Sequence, residues 1–439
     1  MNIKAAIILL VTSFLLSPLQ SQINDTENLF VIEAISVEGN SKSGDYVVLE
    51  NVPYSIGDTL SEYDIRTGVE YLKSLEIFSE VNLHPRAGSE PGKVQLIFRV
   101  EERYWPQFRF KGGFSELDGW YITPVSFNLD NILGMGNFTE LGITIGDRTA
   151  RIDFNYLNPN IFDSDFDLLF NISARSQQVL HYIDGEELIQ NVGRGGYELG
   201  LRPRDNFYKH FKFSLVGYSS IPDSFATRGK EEIFDLPPEI LKFSKEKQQT
   251  AGFLISFNMD QRDQPFYPTS GWWAGFRYFQ ADEQFGGKIN FSRIIADLRG
   301  YYNPIAKVTL AARIKYGAVS SHAPFWEKFY LGGPNSLRGY DDRSLSPTGG
   351  GDRLYQAGVE LRFPIGTRNY PKQLLTGVLF YDTGANLSIS QKLTKDVLFQ
   401  GMGFGLRLRI PYLGIIRMDM AYPVENGSKK IQFSLGHTF

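Results

Sequence analysis

The sequence predicts an all-β transmembrane barrel of about sixteen antiparallel strands, preceded by a small α+β domain. Three observations carry this. From Trp105 to Phe439 the chain falls into segments of about ten residues in which apolar and polar side chains alternate, the period-two signature of a strand with two unlike faces. Aromatic residues make up 14% of the 439 residues, yet no segment past the N-terminus approaches the roughly 18 to 20 apolar residues of a membrane helix. The connections also sort by length, short on the side of the chain termini and long on the other, as in an outer-membrane barrel.

At the N-terminus, Lys4 precedes an uncharged run from Ala5 to Leu16 that stops at Ser17 and Pro18. The run is too short to span a bilayer comfortably, so residues 1–21 read as an export signal peptide. With 0 cysteines, disulfide staples, thiolate catalysis and zinc–thiolate sites are excluded. A net charge of -4 without a basic run argues against a nucleic-acid partner.

Residues 30–103 form the small domain. FVIEAISVEGN alternates as a strand and ends at Gly39-Asn40. A polar and apolar stretch runs to Leu60, after which SEYDIRTGVEYLKSLEIF sets Ile65, Val69, Leu72 and Leu75 at helical spacing. EVNLHP and KVQLIFRVEER, joined by AGSEPG, then read as a hairpin.

Residues 105–439 form the barrel, with strands expected near 106–114, 120–129, 138–147, 150–157, 165–176, 194–202, 209–219, 249–259, 271–280, 289–302, 307–318, 354–364, 374–384, 398–410, 413–422 and 430–439. In FDLLFNISAR, Phe166, Leu168, Phe170 and Ile172 oppose Asp167, Asn171, Ser173 and Arg175, with Leu169 the exception on the polar face. In VTLAARIKYGA, Leu310, Ile314 and Tyr316 oppose Arg313 and Lys315. An even count closes the sheet with both ends on one side, placing NPIA (303–306) there and 220–248 and 319–353 opposite. The last strand, IQFSLGHTF, ends the chain on Phe439, on the same face as Ile431 and Phe433.

One loop is odd. FYLGGPNSLRGYDD, 329–342, has the composition of a turn, yet it sets Arg338 between the large Leu337 and Tyr340, next to Gly339. Gly332, Gly333 and Gly339 supply the backbone freedom to fold it inward. A guanidinium taken into a confined lumen requires carboxylate or carbonyl partners. Glu360 faces the lumen by alternation. The facing of Asp382 stays open, because Val378 and Phe380 share its parity while Leu379 and Tyr381 are equally apolar.

These segments resemble the POTRA-bearing outer-membrane assembly superfamily, the BamA/TamA-like bacterial surface antigen type, over nearly all of the chain after residue 21. GDTLSEYDI and SLEIFSEV look like parts of a single POTRA domain at 30–103, FNMDQRDQPFYPTSGWW (257–273) like an inter-strand turn, and LGGPNSLRGY (331–340) like the signature lumen loop. The resemblance implies that Glu360 and Asp382 receive Arg338. It further implies a bacterial outer-membrane location with the POTRA domain in the periplasm, and partners among unfolded or nascent outer-membrane protein clients, outer-membrane lipid and periplasmic accessory proteins. A single POTRA departs from the several of typical assembly machines and the two usual in secretion translocators.

No enzyme chemistry is legible. The 5 histidines are scattered without ligand spacing, no G-x-S-x-G occurs, and the glycines at 349–351 lack a phosphate cradle's Lys and Ser/Thr, so neither cofactor nor metal is expected. The functions left open are an assembly and insertion factor, a two-partner-type secretion translocator, and a structural or adhesive barrel. The first strand, WPQFRFKGGF, carries Pro106 and Gly112-Gly113, and the last carries Gly436 near Phe439, so the closure between them is expected to be a weak seam.

Overall fold

The computed structural model describes residues 29–435 apart from short stretches, the longest being 129–135, 228–245 and 367–374. The proposed signal peptide, Pro106, Gly436 and Phe439 lie outside the described residues. The chain forms two compact units, 1–103 and 104–439.

In the first unit, β1 (Leu29–Glu38), β2 (Thr59–Ser61), β3 (Phe78–Ala87) and β4 (Lys93–Glu102) form a sheet in the order β2-β1-β4-β3. The hairpin read from sequence pairs as β3 and β4, from Phe78↔Glu102 to Ala87↔Val94. Parallel pairing of β1 with β4 needs a long crossover, which carries α1 (Tyr46–Leu49) and helical turns that include Ile65, Val69 and Leu72. Ile32, Val48, Leu72, Leu96 and Phe98 are buried together, and Tyr54 Oη donates to Ile65 O at 3.0 Å, tying the crossover down. The short β2, which alternation could not reveal in three residues, is one edge and β3 is the other.

In the second unit, β5 (Gln107–Phe108) and β6 (Lys111–Ser115) pair successive parts of β7 (Gly119–Asn128), so they are two pieces of one strand. β8 (Phe138–Gly146), β9 (Thr149–Asn158), β10 (Phe166–Ile183), β11 (Glu186–Pro203), β12 (Phe211–Thr227), β13 (Gln248–Asp260), β14 (Gly271–Ala281), β15 (Phe291–Ile305) and β16 (Val308–Val319) follow. β17 (Arg353–Pro364), β18 (Leu375–Leu387), β19 (Phe399–Ile410), β20 (Gly414–Pro423) and β21 (Lys430–Leu435) complete a closed antiparallel barrel. Counting β5 and β6 as one, the seventeen labelled segments make sixteen strands among the described residues.

The faces separate as the alternation requires. Leu298 and Leu379 are 49% and 50% exposed on the outside, while Asp297 and Asp382, of the opposite parity on the same strands, are 9% and 2% exposed inside. A sheet with apolar side chains out and charges in suits lipid around a polar lumen.

Three boundary readings are corrected. β12 runs on to Thr227 against the outer part of β11, so 220–227, read as the start of a long outer loop, belongs to the wall. β10 and β11 run unbroken from Phe166↔Pro203 to Ile183↔Glu186, where the sequence suggested an end near 176 and a start near 194. Gln177, Gln178, Gly193 and Gly195 blur the alternation there, but ladder hydrogen bonds do not require it. Asn303–Ile305, read as a connection, belongs to β15; the register shifts between Tyr302 and Ile305, an irregularity at which Pro304 is tolerated.

Candidate functional site: a loop pinned across the barrel lumen

The connection 320–352 reaches opposite walls. At one side His181 of β10 meets the Phe325 ring edge-on at 5.0 Å, and Arg194 of β11 pairs with Glu327. Phe325, Phe329, Leu331 and Leu337 are buried with Val179, Val192 and Leu354 in a single apolar cluster. Burial of that cluster is what draws so polar a loop inward.

At the other side sits Arg338, with 0% exposure. Its Nε and Nη2 donate to Asp382 Oδ2 and Oδ1 at 2.6 and 2.8 Å, a bidentate pair, and its Nη1 donates to Glu360 Oε1 at 2.7 Å. The guanidinium lies 3.6 Å over the Phe380 ring. That platform explains the ambiguous facing of Asp382: Val378 and Phe380 are apolar yet inward, because the loop arginine packs on one of them. Leu337 is fully buried in the apolar cluster, and Tyr340 Oη donates to Gln400 O at 2.9 Å.

Backbone geometry matches the composition. Gly332, Gly333 and Gly339 have φ of 113, 96 and 96°, the left-handed region. The wall makes room as well: a Cβ on Gly401 of β19 would stand 2.1 Å from Arg338 O.

Sequence reasoning missed the rest of the network. Arg362 donates to Glu360 at 2.9 Å, Arg407 donates to Asp419 at 2.6 Å, and Asp419 also lies 3.7 Å from Arg338 and 3.4 Å from Arg417. Arg417 Nη2 donates to Pro334 O and Asn335 Oδ1, both at 2.7 Å. The charged members are all buried, and the signal was present: Arg407, Arg417 and Asp419 occupy lumen-facing positions between Leu406, Leu408, Met418 and Met420.

The loop also reaches the last described strand. Gly339 N donates to Gln432 Oε1 at 3.1 Å, Gln432 Nε2 donates to Tyr340 O at 2.8 Å, and Ser434 Oγ donates to Asn335 Oδ1 at 3.0 Å. Gly112 and Gly113 lie in β6, opposite Ile122 and Tyr121 of β7. Among the described residues no group of histidines, cysteines and carboxylates has metal-holding geometry.

Residues 131–439 match the model of the Omp85 superfamily domain. The chain belongs to the Omp85 superfamily. Residues 30–103 match the POTRA model, described as the surface antigen variable number repeat. The chain is 25% identical over 433 residues to the outer membrane protein assembly factor BamA of Nitratidesulfovibrio vulgaris, covering 93% of this chain and 51% of that protein. It is 22% identical to the chloroplastic outer envelope protein 80 of Arabidopsis thaliana, over 95% of this chain and 57% of that one. The chain thus spans about half the length of these relatives.

Among solved structures, BamA from Haemophilus ducreyi lacking POTRA domains 1–3 superposes with a TM-score of 0.66 at 17% identity, over 92% of this chain and 83% of that one. CdiB from Escherichia coli gives 0.58 at 13%, over 92% and 75%. At these identities the likeness is one of fold. This Omp85 chain is an outer-membrane barrel with a periplasmic POTRA domain.

Proposed function

We propose that this Omp85 protein assembles other proteins into the outer membrane, opening its barrel between the first and last strands to template client strands. The observation that carries this reading is the tie between loop and seam. The loop is pinned to β17 and β18 by buried ion pairs, to β20 by hydrogen bonds from Arg417, and to β21 through Gln432 and Ser434, so its position bears directly on a closing strand. The partner strand carries Gly112 and Gly113 side by side in β6, residues that weaken a strand, which supports a poorly held closure.

A strand freed at such a seam offers unpaired N–H and C=O groups to an incoming chain. The POTRA edge strand β3 offers a second such edge, and its Pro85 is a residue tolerated at a sheet edge. Nascent outer-membrane proteins are the proposed clients, with lipid and periplasmic accessory proteins as further partners. Passage of a secreted polypeptide through the lumen is the alternative, and the loop spanning the lumen weighs against it. Depletion of the protein followed by outer-membrane proteomics tests the reading: loss of a subset of barrel proteins is expected, and an unchanged outer-membrane proteome with one missing secreted protein would overturn it.

A further inference from the structure

The half of the lumen that the Arg338 loop leaves open is strongly cationic, although the chain as a whole carries a net charge of -4. A cavity of about 430 Å³ is lined by Arg151, Arg175, Arg194, Arg277 and Arg293 against Glu198 and Glu327. A second, of about 790 Å³, shares Glu198, Arg277 and Ile295 with it; its lining holds seven lysine and arginine side chains and two carboxylates, Glu198 and Asp297, while Asp167 holds Arg202 from outside the lining. The two line up along β11 from Arg194 to Arg202, a run of about 27 Å at strand rise.

The carboxylates present are already engaged. Glu327 is held by Arg194 and by Tyr218 Oη, which donates at 2.9 Å, with Arg293 at 3.7 Å. Glu198 takes Lys212 at 2.5 Å and Ser214 Oγ at 2.8 Å. Asp297 is clasped by Arg299 and Arg313 at 2.9 and 2.6 Å. Arg175 and Arg277 have neither a hydrogen bond nor an ion pair among the described residues, and the buried Nε atoms of Arg194 and Arg293 lack an acceptor. Cations gathered in a confined space repel one another and lose water, and guanidinium forks match carboxylates bidentately.

We infer that this trough binds an acidic, extended segment of polypeptide, its Asp and Glu side chains meeting the guanidinium groups in succession. The length favours this over a single small anion: about eight extended residues fit the run. A lipid headgroup is disfavoured because its acyl chains would have to cross the barrel wall. The inference deepens the assembly reading and rests on it for the delivery of unfolded polypeptide to the Arg202 end of the trough, without passage beyond the loop.

The test uses the full-length protein in detergent micelles and an eight-residue glutamate-rich peptide, with its glutamine counterpart as the control. Binding of the acidic peptide that weakens with salt, and no binding of the glutamine peptide, is expected. R175Q/R277Q removes two cations without orphaning a carboxylate and should weaken binding roughly tenfold or more, as expected for lost charge-assisted contacts. The absence of cysteine allows Ile295→Cys to be placed where both cavities meet, and a thiol-reactive acidic peptide should label it selectively.

Equal binding of both peptides, indifference to R175Q/R277Q, or displacement of the peptide by equimolar inorganic phosphate at constant ionic strength would overturn the inference. Altered outer-membrane proteomes on depletion without peptide binding would refute the trough and leave the assembly reading intact. Peptide binding with an unchanged proteome would refute the assembly reading and leave a polypeptide-binding trough.

Discussion

Arg338→Ala separates two accounts of the buried cluster. By formal charge, Arg338, Arg362, Arg407 and Arg417 outnumber Glu360, Asp382 and Asp419 by one, so removing Arg338 balances the cluster. If net charge governed stability, the variant would be tolerated. Pairing gives the opposite answer. Glu360 would keep Arg362 at 2.8 Å and Arg407 at 3.5 Å, but Asp382, at 2% exposure, would lose the side chain that holds both its oxygens. An uncompensated buried charge of this kind costs about 3–5 kcal/mol, which lowers the population of the docked loop by roughly 140- to 4,000-fold relative to the undocked one.

Protease accessibility of 319–353 from outside intact cells reads that population. Arg338→Ala should render the loop sensitive, and Arg338→Lys should be intermediate because an ammonium cannot reproduce the bidentate fork. Arg338→Ala/Asp382→Asn should recover part of the protection by removing the orphaned carboxylate. Lys392→Ala, at an exposed position, is the control. Equal sensitivity of Arg338→Ala and Lys392→Ala would refute the pairing argument. Arg343 is a poor control, since its guanidinium packs 4.3 Å over the Tyr330 ring.

Gly401→Val should displace the loop as strongly as loss of Arg338, because the new Cβ would stand 2.1 Å from Arg338 O; the same protease assay checks it, and wild-type protection would contradict the close approach. In the POTRA domain, the Ser89 hydroxyl, followed by the Ser89 N–H and Gln95, holds the Glu33 carboxyl below the ordinary glutamate range. A depressed pKa means stabilisation present above the ordinary glutamate pKa and lost as pH falls through the lowered value. Hydrogen-exchange protection near Ser89, corrected for intrinsic rate, should therefore drop on acidification in the wild type and be nearly flat in Glu33→Gln.

Legibility in the sequence followed physical simplicity. The strands facing lipid on one side and the lumen on the other announced themselves, because one face of each is uniformly apolar, as in Leu310, Ile314 and Tyr316 against Arg313 and Lys315. Where both faces are polar, as at Gln177 and Gln178 in the outer part of β10, the alternation vanished and the strand outran its reading. Arg338 stood out by contrast with its turn-like neighbours. Asp382 did not, because its face holds the apolar platform Phe380. The parallel β1–β4 pairing joins segments some sixty residues apart and leaves no local trace.

The central claim, that the seam between first and last strands opens to work, is tested most directly by locking it. Lys111→Cys combined with cysteines scanned along Lys430–Leu435 should form a disulfide where the Cα atoms approach within about 7 Å, with no native thiol to interfere. Insertion of client barrels into membranes should stop in the locked protein and resume on reduction. Insertion at the unlocked rate through a fully cross-linked seam would contradict the account.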